Sequence, residues 1–422
     1  MKKSRKILMM AWTIWFLATF FYFYEYFLRV FPSEIVPQLE RDFQIQAGRI
    51  GVISAFYFYI YAPMQLPVGL LMDRFGARRL LTFASLVCGI GAVVFGLAAH
   101  VFMLDIGRLL MGLGSAFAFL GMVYICTHWF PARRAALMIG IGNSLGVLGA
   151  VGGEGPLSLV INILGWRETI LILGFVGIAL AVVIYFLVRN EPENMQKHDA
   201  KVEDYRSLLS NSKLVFQNKQ AWLIGIINFF YYATIVAFGT LWGVPFLQKA
   251  FQMSQAKAGF ALSMIFIGWV IGGPIAGHYS DVVRNRRTFI RFFTLFGGLL
   301  FLPLLFISPM PDIFVFLLLF TLGLSLSAQI LTYCYAVEIL PSEVKGTAIA
   351  LTNFLGLTSG IIFQPFVGFV LDLVWEGGMQ QGVPVYTLKD YQYALICFPI
   401  AFFIAFLLSF FLKKIPTKKW TG

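Results

Sequence analysis

The stretch Gly69-Leu-Leu-Met-Asp-Arg-Phe-Gly-Ala-Arg-Arg79 places one acidic and three basic residues at the junction of two long apolar runs, 48–72 and 79–99. An apolar run of about 20 residues is long enough to cross roughly 30 Å of hydrocarbon as a helix. The charged stretch therefore predicts a tight connection between two membrane-spanning helices. The rest of the chain repeats this alternation of apolar runs and short polar connections.

The composition of the whole chain agrees with this local pattern. Of its 422 residues, 59% are hydrophobic and 12% are charged, and a soluble protein of this length cannot hide so much apolar surface. Because apolar residues run continuously instead of alternating, helices are favoured over barrel strands. We expect an all-α membrane protein with twelve transmembrane helices. The predicted spans lie near 8–36, 48–72, 79–99, 102–129, 135–163, 168–188, 221–247, 256–280, 288–308, 313–337, 346–374 and 391–413.

The distribution of the basic residues behind the net charge of +12 indicates how the chain is oriented in the membrane. With the basic N-terminus placed in the cytoplasm, 24 of the 32 Lys and Arg residues fall in cytoplasmic segments, two (Arg29 and Arg108) fall within spans, and six remain outside. This asymmetry follows the positive-inside rule. We therefore expect an integral protein of a bacterial inner membrane with both termini cytoplasmic, and the lipid bilayer, not nucleic acid, as its large partner.

The two halves of the chain resemble each other. The first motif recurs as Gly277-His-Tyr-Ser-Asp281 followed by Arg286-Arg287, and Asn143-Ser-Leu-Gly146 recurs as Asn353-Phe-Leu-Gly356, at offsets of 208 and 210. Matches in the same order at nearly one offset indicate a duplicated unit, which is typical of transporters. The predicted units are an N-terminal six-helix bundle (1–188), a cytoplasmic linker (189–220) and a C-terminal six-helix bundle (221–422), pseudo-symmetric to the first.

These motifs carry a family resemblance. The stretch 69–79 resembles the signature loop of the major facilitator superfamily, and Arg108-Leu-Leu-Met-Gly-Leu-Gly114 resembles the second motif of that family. The sequence Arg29-Val-Phe-Pro-Ser33 is similar to the anion:cation symporter branch and to related bacterial nutrient carriers. The resemblance implies a secondary transporter working by alternating access, a monomer without cofactors, with its substrate site between the two halves.

The resemblance also implies a gating role for the charged loops. In this family the first motif holds the outward-open state together on the cytoplasmic side and breaks as the halves rock. An alternative is that its arginines only set the topology. The expected gating residues are Gly69, Asp73, Arg74, Gly76 and Arg78, with Asp281 and Arg286 in the second copy.

Two charged residues inside the first span are the sharpest local signal. Glu25 and Arg29 are four residues apart, so they share one face of a helix. Each costs roughly 2.5–3.5 kcal/mol at mid-bilayer, which requires a wet cavity or a partner. We expect Arg29 to bind a substrate carboxylate through its planar fork. Glu25 could orient Arg29, bind a substrate ammonium or carry a proton. The alternative is a self-satisfied ion pair that only fixes helix packing.

Two further residues are candidates for proton coupling beside Glu25. Glu154 lies inside the fifth span, two residues before Pro156, in apolar surroundings that suit reversible protonation. Alternatively, Glu154 is permanently protonated and bonded to backbone groups freed by the proline. Arg108 is associated with proton coupling through the family resemblance, and the alternative is an arginine paired with Asp105 near the outer third of its span.

Other polar and aromatic residues could complete a substrate cavity. A stripe at helical spacing on the second span is the best of them, although many tyrosines of such a chain pack or lie at the interface. The candidates are Tyr57, Tyr61, Gln65, Tyr124, Asn228, Tyr232, Gln329, Tyr333 and Asn353.

The interpretation is a proton-coupled symporter of a small carboxylate-bearing solute, which could be an amino acid, a short peptide or an organic anion. Its expected partners are that solute and protons. A drug/proton antiporter and a non-transporting membrane receptor of the same fold are the alternatives. We expect neither an enzyme nor a metal site, because no nucleophile–base pair or set of metal ligands stands in a credible context.

Overall fold

The computed structural model describes residues 2–191, 213–283, 285–341, 344–380 and 382–414. Most of the predicted linker therefore lies outside the described residues. The described chain is almost entirely helical, as its continuous apolar runs predict.

The N-terminal part, up to residue 187, holds nine α-helices and a short 3-10 turn at Phe31–Glu34. Their bounds are α1 Lys2–Val30, α2 Val36–Phe43, α3 Ala47–Met64, α4 Val68–Gly96, α5 Val101–Ser115, α6 Ala118–Trp129, α7 Ala132–Gly153, α8 Gly155–Leu164 and α9 Trp166–Leu187.

The C-terminal part begins at Lys219 and includes a π-helical segment at Thr234–Trp242 and a 3-10 turn at Ser327–Gln329. Its helices are α10 Lys219–Ala233, α11 Gly243–Phe251, α12 Gln255–Val283, α13 Arg286–Phe306, α14 Asp312–Leu326, α15 Ile330–Glu338, α16 Lys345–Val374, α17 Leu388–Leu395 and α18 Cys397–Ser409. A two-stranded antiparallel hairpin pairs β1 Met379–Gln380 with β2 Val383–Pro384.

Within the described residues, ten helical stretches are long and apolar enough to cross a membrane. The first two predicted spans correspond to α1 and α3, helices of 29 and 18 residues that lie outside this set of ten. Large apolar side chains such as Phe175, Phe186 and Leu373 are more than 60% exposed, as side chains that face lipid must be. The chain is therefore an all-helical membrane protein, and the count of twelve spans stays a prediction.

Two predicted spans are interrupted. The predicted fifth span is divided at Glu154, whose backbone angles of φ −94° and ψ −112° end α7 and allow α8 to begin at Gly155. Pro156 then occupies the first turn of α8, where its missing N–H costs no helix hydrogen bond. The predicted seventh span widens into the π-helical segment between α10 and α11. Both interruptions bring backbone polar groups into the interior of the bundle.

The helices have two ends that we name by their neighbours. The linker side is the end near residues 189–191 and 213–218, and the hairpin side is the end near residues 31–46 and 375–387. On the hairpin side the two parts pack tightly, with α3 against α16 and α8 against α12. A methyl group at Gly51 of α3 would lie 2.4 Å from the carbonyl oxygen of Gln364, so these backbones touch.

The linker side is more open. Five glycines near the linker-side ends of α4, α7, α12 and α16 have no described atom within 4 Å of the place where a side chain would begin. They are Gly69, Gly140, Gly273, Gly277 and Gly346. Within the described residues, the two parts of the chain therefore make close backbone contacts on the hairpin side and leave these five glycines of the linker side uncovered.

Candidate functional site

The centre of the candidate site is the ion pair on α1. Glu25 is fully buried and Arg29 is 4% exposed. The Nε atom of Arg29 donates to Oε1 of Glu25 at 3.0 Å, and its Nη2 atom makes a second, shorter contact with the same oxygen. The i, i+4 spacing thus pairs the two side chains along one helix face, as predicted. Among the described residues, Oε2 of Glu25 has no hydrogen-bond partner.

Three tyrosines surround the guanidinium of Arg29. Its Cζ atom lies 4.5 Å from the ring centre of Tyr26, 4.8 Å from Tyr61 and 5.9 Å from Tyr57. Arg29 also donates a hydrogen bond of 2.9 Å to the hydroxyl of Tyr61, and Tyr57 donates to Glu25. Aromatic faces attract a desolvated cation, so this cage holds Arg29 in place without neutralising it. We call Glu25, Tyr26, Arg29, Tyr57 and Tyr61 the Arg29 cluster.

Arg108 adds a second cation next to this cluster. It is fully buried on α5, donates to the carbonyl oxygen of Leu28 at 2.5 Å, and places its Cζ atom 4.7 Å from the ring centre of Tyr57. Tyr57 therefore lies between two guanidinium groups. The Arg29 cluster and Arg108 together contain two guanidinium groups and one carboxyl group, which is an excess of positive charge inside the protein.

The suggested pairing of Arg108 with Asp105 is wrong. Asp105 forms its ion pair with Arg49 of α3 instead, although Asp105 and Arg108 are one turn apart on α5. The side chain of Arg108 turns inward, where the carbonyl oxygens of Leu28 and Ser54 replace water around the guanidinium. Sequence spacing could not reveal this, because the competing partner comes from another helix.

A polar chain connects the two parts of the protein beside the cluster. The amide of Asn353 donates to Oε1 of Gln65 at 3.0 Å, and the hydroxyl of Tyr333 donates to Oδ1 of Asn353 at 2.9 Å. Gln329 continues the chain through a 3.0 Å bond to Tyr333. Tyr232 of α10 interacts with Arg29 across the same interface. Four candidates from the C-terminal part thus lie along one interface with Gln65.

The remaining candidate substrate residues are dispersed. Asn228 belongs to the same region, donating to the carbonyl oxygen of Thr352 at 2.9 Å while its Oδ1 has no partner among the described residues. Tyr124 stacks on His128 with ring centres 3.8 Å apart and lines a cavity on the linker side. The structure therefore does not bring Tyr124 to the Arg29 cluster.

Glu154 lies apart from the Arg29 cluster, on the hairpin side. It is fully buried at the break between α7 and α8, and its Oε2 is 2.9 Å from the hydroxyl of Ser33. Its other neighbour is the carboxyl group of Glu34, which is also fully buried. Neither Ser33 nor Glu34 was a candidate from the sequence, since the turn that follows α1 reads as an ordinary connection.

The signature loop folds around its second glycine. Gly76 has φ of +75°, a conformation that favours glycine, and a methyl group there would lie 2.2 Å from the amide of Asn190. The backbone N–H of Arg78 donates to Asn190, and its side chain donates to the carbonyl oxygen of Tyr185, both at 2.8 Å. Arg78 thus binds the end of α9.

Asp73 and Arg74 lie at the rim of the linker-side cavity, which measures about 410 Å³. Asp73 is exposed and has no ion pair within the described part of the chain. In the second copy of the motif, Arg286 binds Glu338 at 2.6 Å and Ser280 at 2.7 Å. The side chain of Asp281 lies outside the described residues.

The hairpin side carries a contact between the two parts that the sequence does not reveal. Asp372, near the end of α16, accepts from the backbone N–H of Gly48 at 2.8 Å and from the hydroxyl of Tyr386. The same hydroxyl accepts from the backbone N–H of Ala47 at 3.1 Å. Burial, with repulsion by Asp372, raises the pKa of the nearby Glu40 carboxyl to about 8.

Comparison with known proteins supports the helical architecture and the motifs. The sequence profile of the Major Facilitator Superfamily matches residues 14–365. The chain belongs to this superfamily. As a member, it is an integral membrane transporter and not an enzyme, and the resemblance of its signature loop is confirmed.

Two relatives and one solved structure illustrate the similarity. The chain is 24% identical to the probable sulfoacetate transporter SauU of Cupriavidus necator, over 68% of this chain and 70% of that protein. It is 24% identical to the probable galactarate/D-glucarate transporter GudP of Escherichia coli, over 79% and 81%. A bacterial homologue of the human lysosomal transporter Spinster, solved in an inward-facing and unoccupied conformation, superposes with a TM-score of 0.73 at 16% identity, covering 95% of this chain and 97% of that one.

Proposed function

We propose that the protein is a proton-coupled symporter of a small organic anion whose carboxylate, or a comparable acidic group, binds Arg29. The observation that carries this proposal is the buried excess of positive charge, two guanidinium groups with one carboxyl, in the Arg29 cluster and Arg108. Two relatives named as transporters of organic acids agree with an anionic substrate. The proposal favours an organic anion over an amino acid, because Glu25 is already engaged by Arg29 and Tyr57.

The coupling follows from competition for Arg29. In this conformation Glu25 forms an ion pair with the guanidinium group of Arg29. A substrate carboxylate can bind that guanidinium group only after the ion pair has broken. Protonation of Glu25 removes its charge and weakens the charge-assisted hydrogen bonds to Arg29. The guanidinium group of Arg29 then binds the substrate anion through two parallel hydrogen bonds, which replace its hydrogen bonds to Glu25. Proton and anion thus enter together, and for a monoanion the net charge of Glu25, Arg29 and Arg108 with the substrate is the same before and after binding.

The translocation route in this proposal lies between two six-helix bundles, 1–188 and 221–422, joined by the linker 189–220. The polar chain from Gln65 to Gln329 lies at their interface, where the substrate would contact both bundles. The arrangement has twelve spans, works as a monomer and has both termini on the cytoplasmic side of a bacterial inner membrane. The linker side is then cytoplasmic, and the structure corresponds to an inward-open state.

The gating residues complete the cycle. Asp73 has no ion pair among the described residues while the linker side is open, which supports a latch that forms only when this side closes. In the closed state the arginines Arg74 and Arg78 and their counterpart Arg286 would bind across the interface. The flexible backbone at Gly69 and Gly76 allows the loop to change its conformation.

Uptake by purified protein in liposomes tests this function. We expect a radiolabelled organic acid, chosen from sulfonates, sugar diacids and amino acids by thermal shift, to accumulate when the outside is acidic, and accumulation to collapse when a protonophore is added. The Arg29→Ala variant should lose uptake, whereas Arg41→Ala, which removes a 58% exposed arginine, should retain it. Equal accumulation with and without a proton gradient would contradict coupling.

A further inference from the structure

Two buried carboxyl groups meet on the hairpin side, away from the Arg29 cluster. Glu34 ends the 3-10 turn that follows α1, and Glu154 lies at the break between α7 and α8. Both residues are fully buried, and each has one carboxyl oxygen without a partner among the described residues. The two residues are neighbours, because the place where a side chain would begin at Gly259 lies 2.2 Å from Oε1 of Glu34 and 2.8 Å from the backbone nitrogen of Gly155, which follows Glu154. We call them the carboxyl pair.

Ser33 binds one oxygen of Glu154 and leaves the other oxygen for Glu34. The hydroxyl oxygen of Ser33 lies 2.8 Å from the carbonyl oxygen of Val30 and 2.9 Å from Oε2 of Glu154. A hydroxyl has one proton to donate, and a carbonyl oxygen can only accept. When Ser33 donates to Oε2 of Glu154, Oε1 of Glu154 remains without a partner among the described residues and is free to share a proton with Glu34.

The electrostatic surroundings agree. Within the described part of the chain, neither carboxyl group takes part in an ion pair. Arg29 is bound to Glu25 and Lys257 is bound to Asp312. The ionisable residues of α2, α11 and α12 on the same side are Glu40, Arg41, Asp42, Lys249 and Lys257, and within the described part of the chain none of them forms a hydrogen bond or an ion pair with either carboxyl group. Two buried carboxylates without a cation repel each other strongly, so the doubly ionised pair is unstable in this packing.

The pair lies at the contact between the two parts of the protein. Gln255, the first residue of α12, donates to the backbone carbonyl oxygen of Glu34 at 2.7 Å and lies 3.5 Å from its carboxyl group. Gln38 donates to Gln255 at 3.3 Å. A methyl group at Gly259 would lie 2.2 Å from Oε1 of Glu34, so this carboxyl group presses against the backbone of α12. The hairpin side is closed around the pair.

We propose that Glu34 and Glu154 form a proton-binding site, and that a proton held between them is required for the two parts to close on the hairpin side. A proton arriving from solution gives one carboxyl group a donor for its neighbour, which removes a negative charge and satisfies an unpaired oxygen. Loss of the proton restores two carboxylates, which need water and separate from α12. The hairpin side then opens.

Glu34 and a gate on the hairpin side are thus added to the proton coupling proposed above. The inference rests on the proposed symport function only because that function names the proton as the coupling ion. Opening of the gate needs no substrate. The spin-label distances can therefore be independent of pH while Arg29 still binds the anion. Conversely, Arg29→Ala can bind the anion normally while the distances still change with pH.

Spin-label distances across the hairpin side test the proposal. Nitroxides at His100→Cys and Ile313→Cys, exposed positions in the two parts, report opening in a variant without the native cysteines. A Glu40→Gln background removes the titration of Glu40 from the same side. We expect a short distance at pH 5 to give way to a longer one by pH 9. In Glu154→Gln and Glu34→Gln, whose amides donate the missing hydrogen bond, the short distance should persist through pH 9.

The exposed residue Glu376 supplies the matched control, because Glu376→Gln on the same side should keep the response of the parent. Either single variant that folds, as shown by a monodisperse elution profile, is sufficient for the test. A parent whose distance does not change between pH 5 and pH 9 would overturn the proposal. So would Gln variants that open with the pH midpoint of the parent.

Discussion

The carboxylate of Asp372, near the end of α16, accepts a 2.8 Å hydrogen bond from the backbone N–H of Gly48 in the first turn of α3. A residue of the C-terminal part thus satisfies a helix N-terminus of the N-terminal part. Such an N-terminus carries unpaired N–H groups and partial positive charge, and both favour an anion. This contact, with the carboxyl pair and the close approach of Gly51, explains why the structure is closed on the hairpin side.

Removing the charge of Asp372 should weaken this closure. We expect Asp372→Asn to shift the equilibrium toward opening of the hairpin side by about 1 kcal/mol, roughly five-fold, because the interaction of a carboxylate with the helix dipole is lost. The spin-label pair at positions 100 and 313 measures the two populations. The Glu376→Gln variant, altered at an exposed carboxylate on the same side, should leave them unchanged. Unaltered populations in Asp372→Asn would show that the contact does not hold the gate.

Glu40 should make the same closure sensitive to pH. Its pKa is raised to about 8 by burial and by Asp372, above the roughly 4.3 of a free glutamate. A raised pKa means that the closed, folded state holds the proton more tightly, so its stability is full below about pH 4.3 and falls as the pH rises through 8. We expect the melting temperature to decline over this window, and to decline less in Glu40→Gln. Parallel melting curves across pH for both proteins would contradict the assignment.

The tight contact between α3 and α16 gives a steric prediction. In Gly51→Ala the new methyl group would lie 2.4 Å from the carbonyl oxygen of Gln364, a backbone atom that cannot move alone. We expect this substitution to destabilise the conformation with a closed hairpin side by about 1–3 kcal/mol. Gly140→Ala is the matched control, because no described atom lies within 4 Å of the added methyl group. Its melting temperature should be unchanged or slightly raised, and an equal effect of both substitutions would rule out the steric account.

The signature loop should favour the opposite state. Asp73 has no ion pair among the described residues while the linker side is open, so Asp73→Asn should not disturb this conformation. It should instead destabilise the state with a closed linker side, which raises the reactivity of cysteines introduced along the linker-side cavity. Maleimide labelling of a cysteine at Tyr124, which lines that cavity, measures this accessibility. Identical labelling rates in both proteins would refute a latch at Asp73.

The sequence predicted those features that depend on neighbours along the chain. The pairing of Glu25 with Arg29 follows from their four-residue spacing. The turn at Gly76 lies where the motif predicted a tight connection. These local rules also identified the helical membrane architecture, since apolar runs of sufficient length need no tertiary information.

The features that the sequence missed depend on partners from distant helices. Glu34 interacts with Glu154, which lies 120 positions later in the chain. Asp372 accepts a hydrogen bond from Gly48, which lies 324 positions earlier. Asp105 binds Arg49 of another helix in preference to Arg108 one turn away. Tyr26 forms part of the cage around Arg29, yet aromatic residues make up 17% of the chain and none stands out by type alone.

The most direct test of the account is calorimetric titration of the purified protein with the organic acid that gives the largest thermal shift. We predict binding that strengthens as the pH falls, affinity reduced at least about ten-fold in both Arg29→Ala and Arg29→Lys, and a weaker pH dependence of binding in Glu25→Gln than in the parent. Wild-type affinity in a folded Arg29→Ala protein would contradict the claim that this buried guanidinium receives the substrate anion.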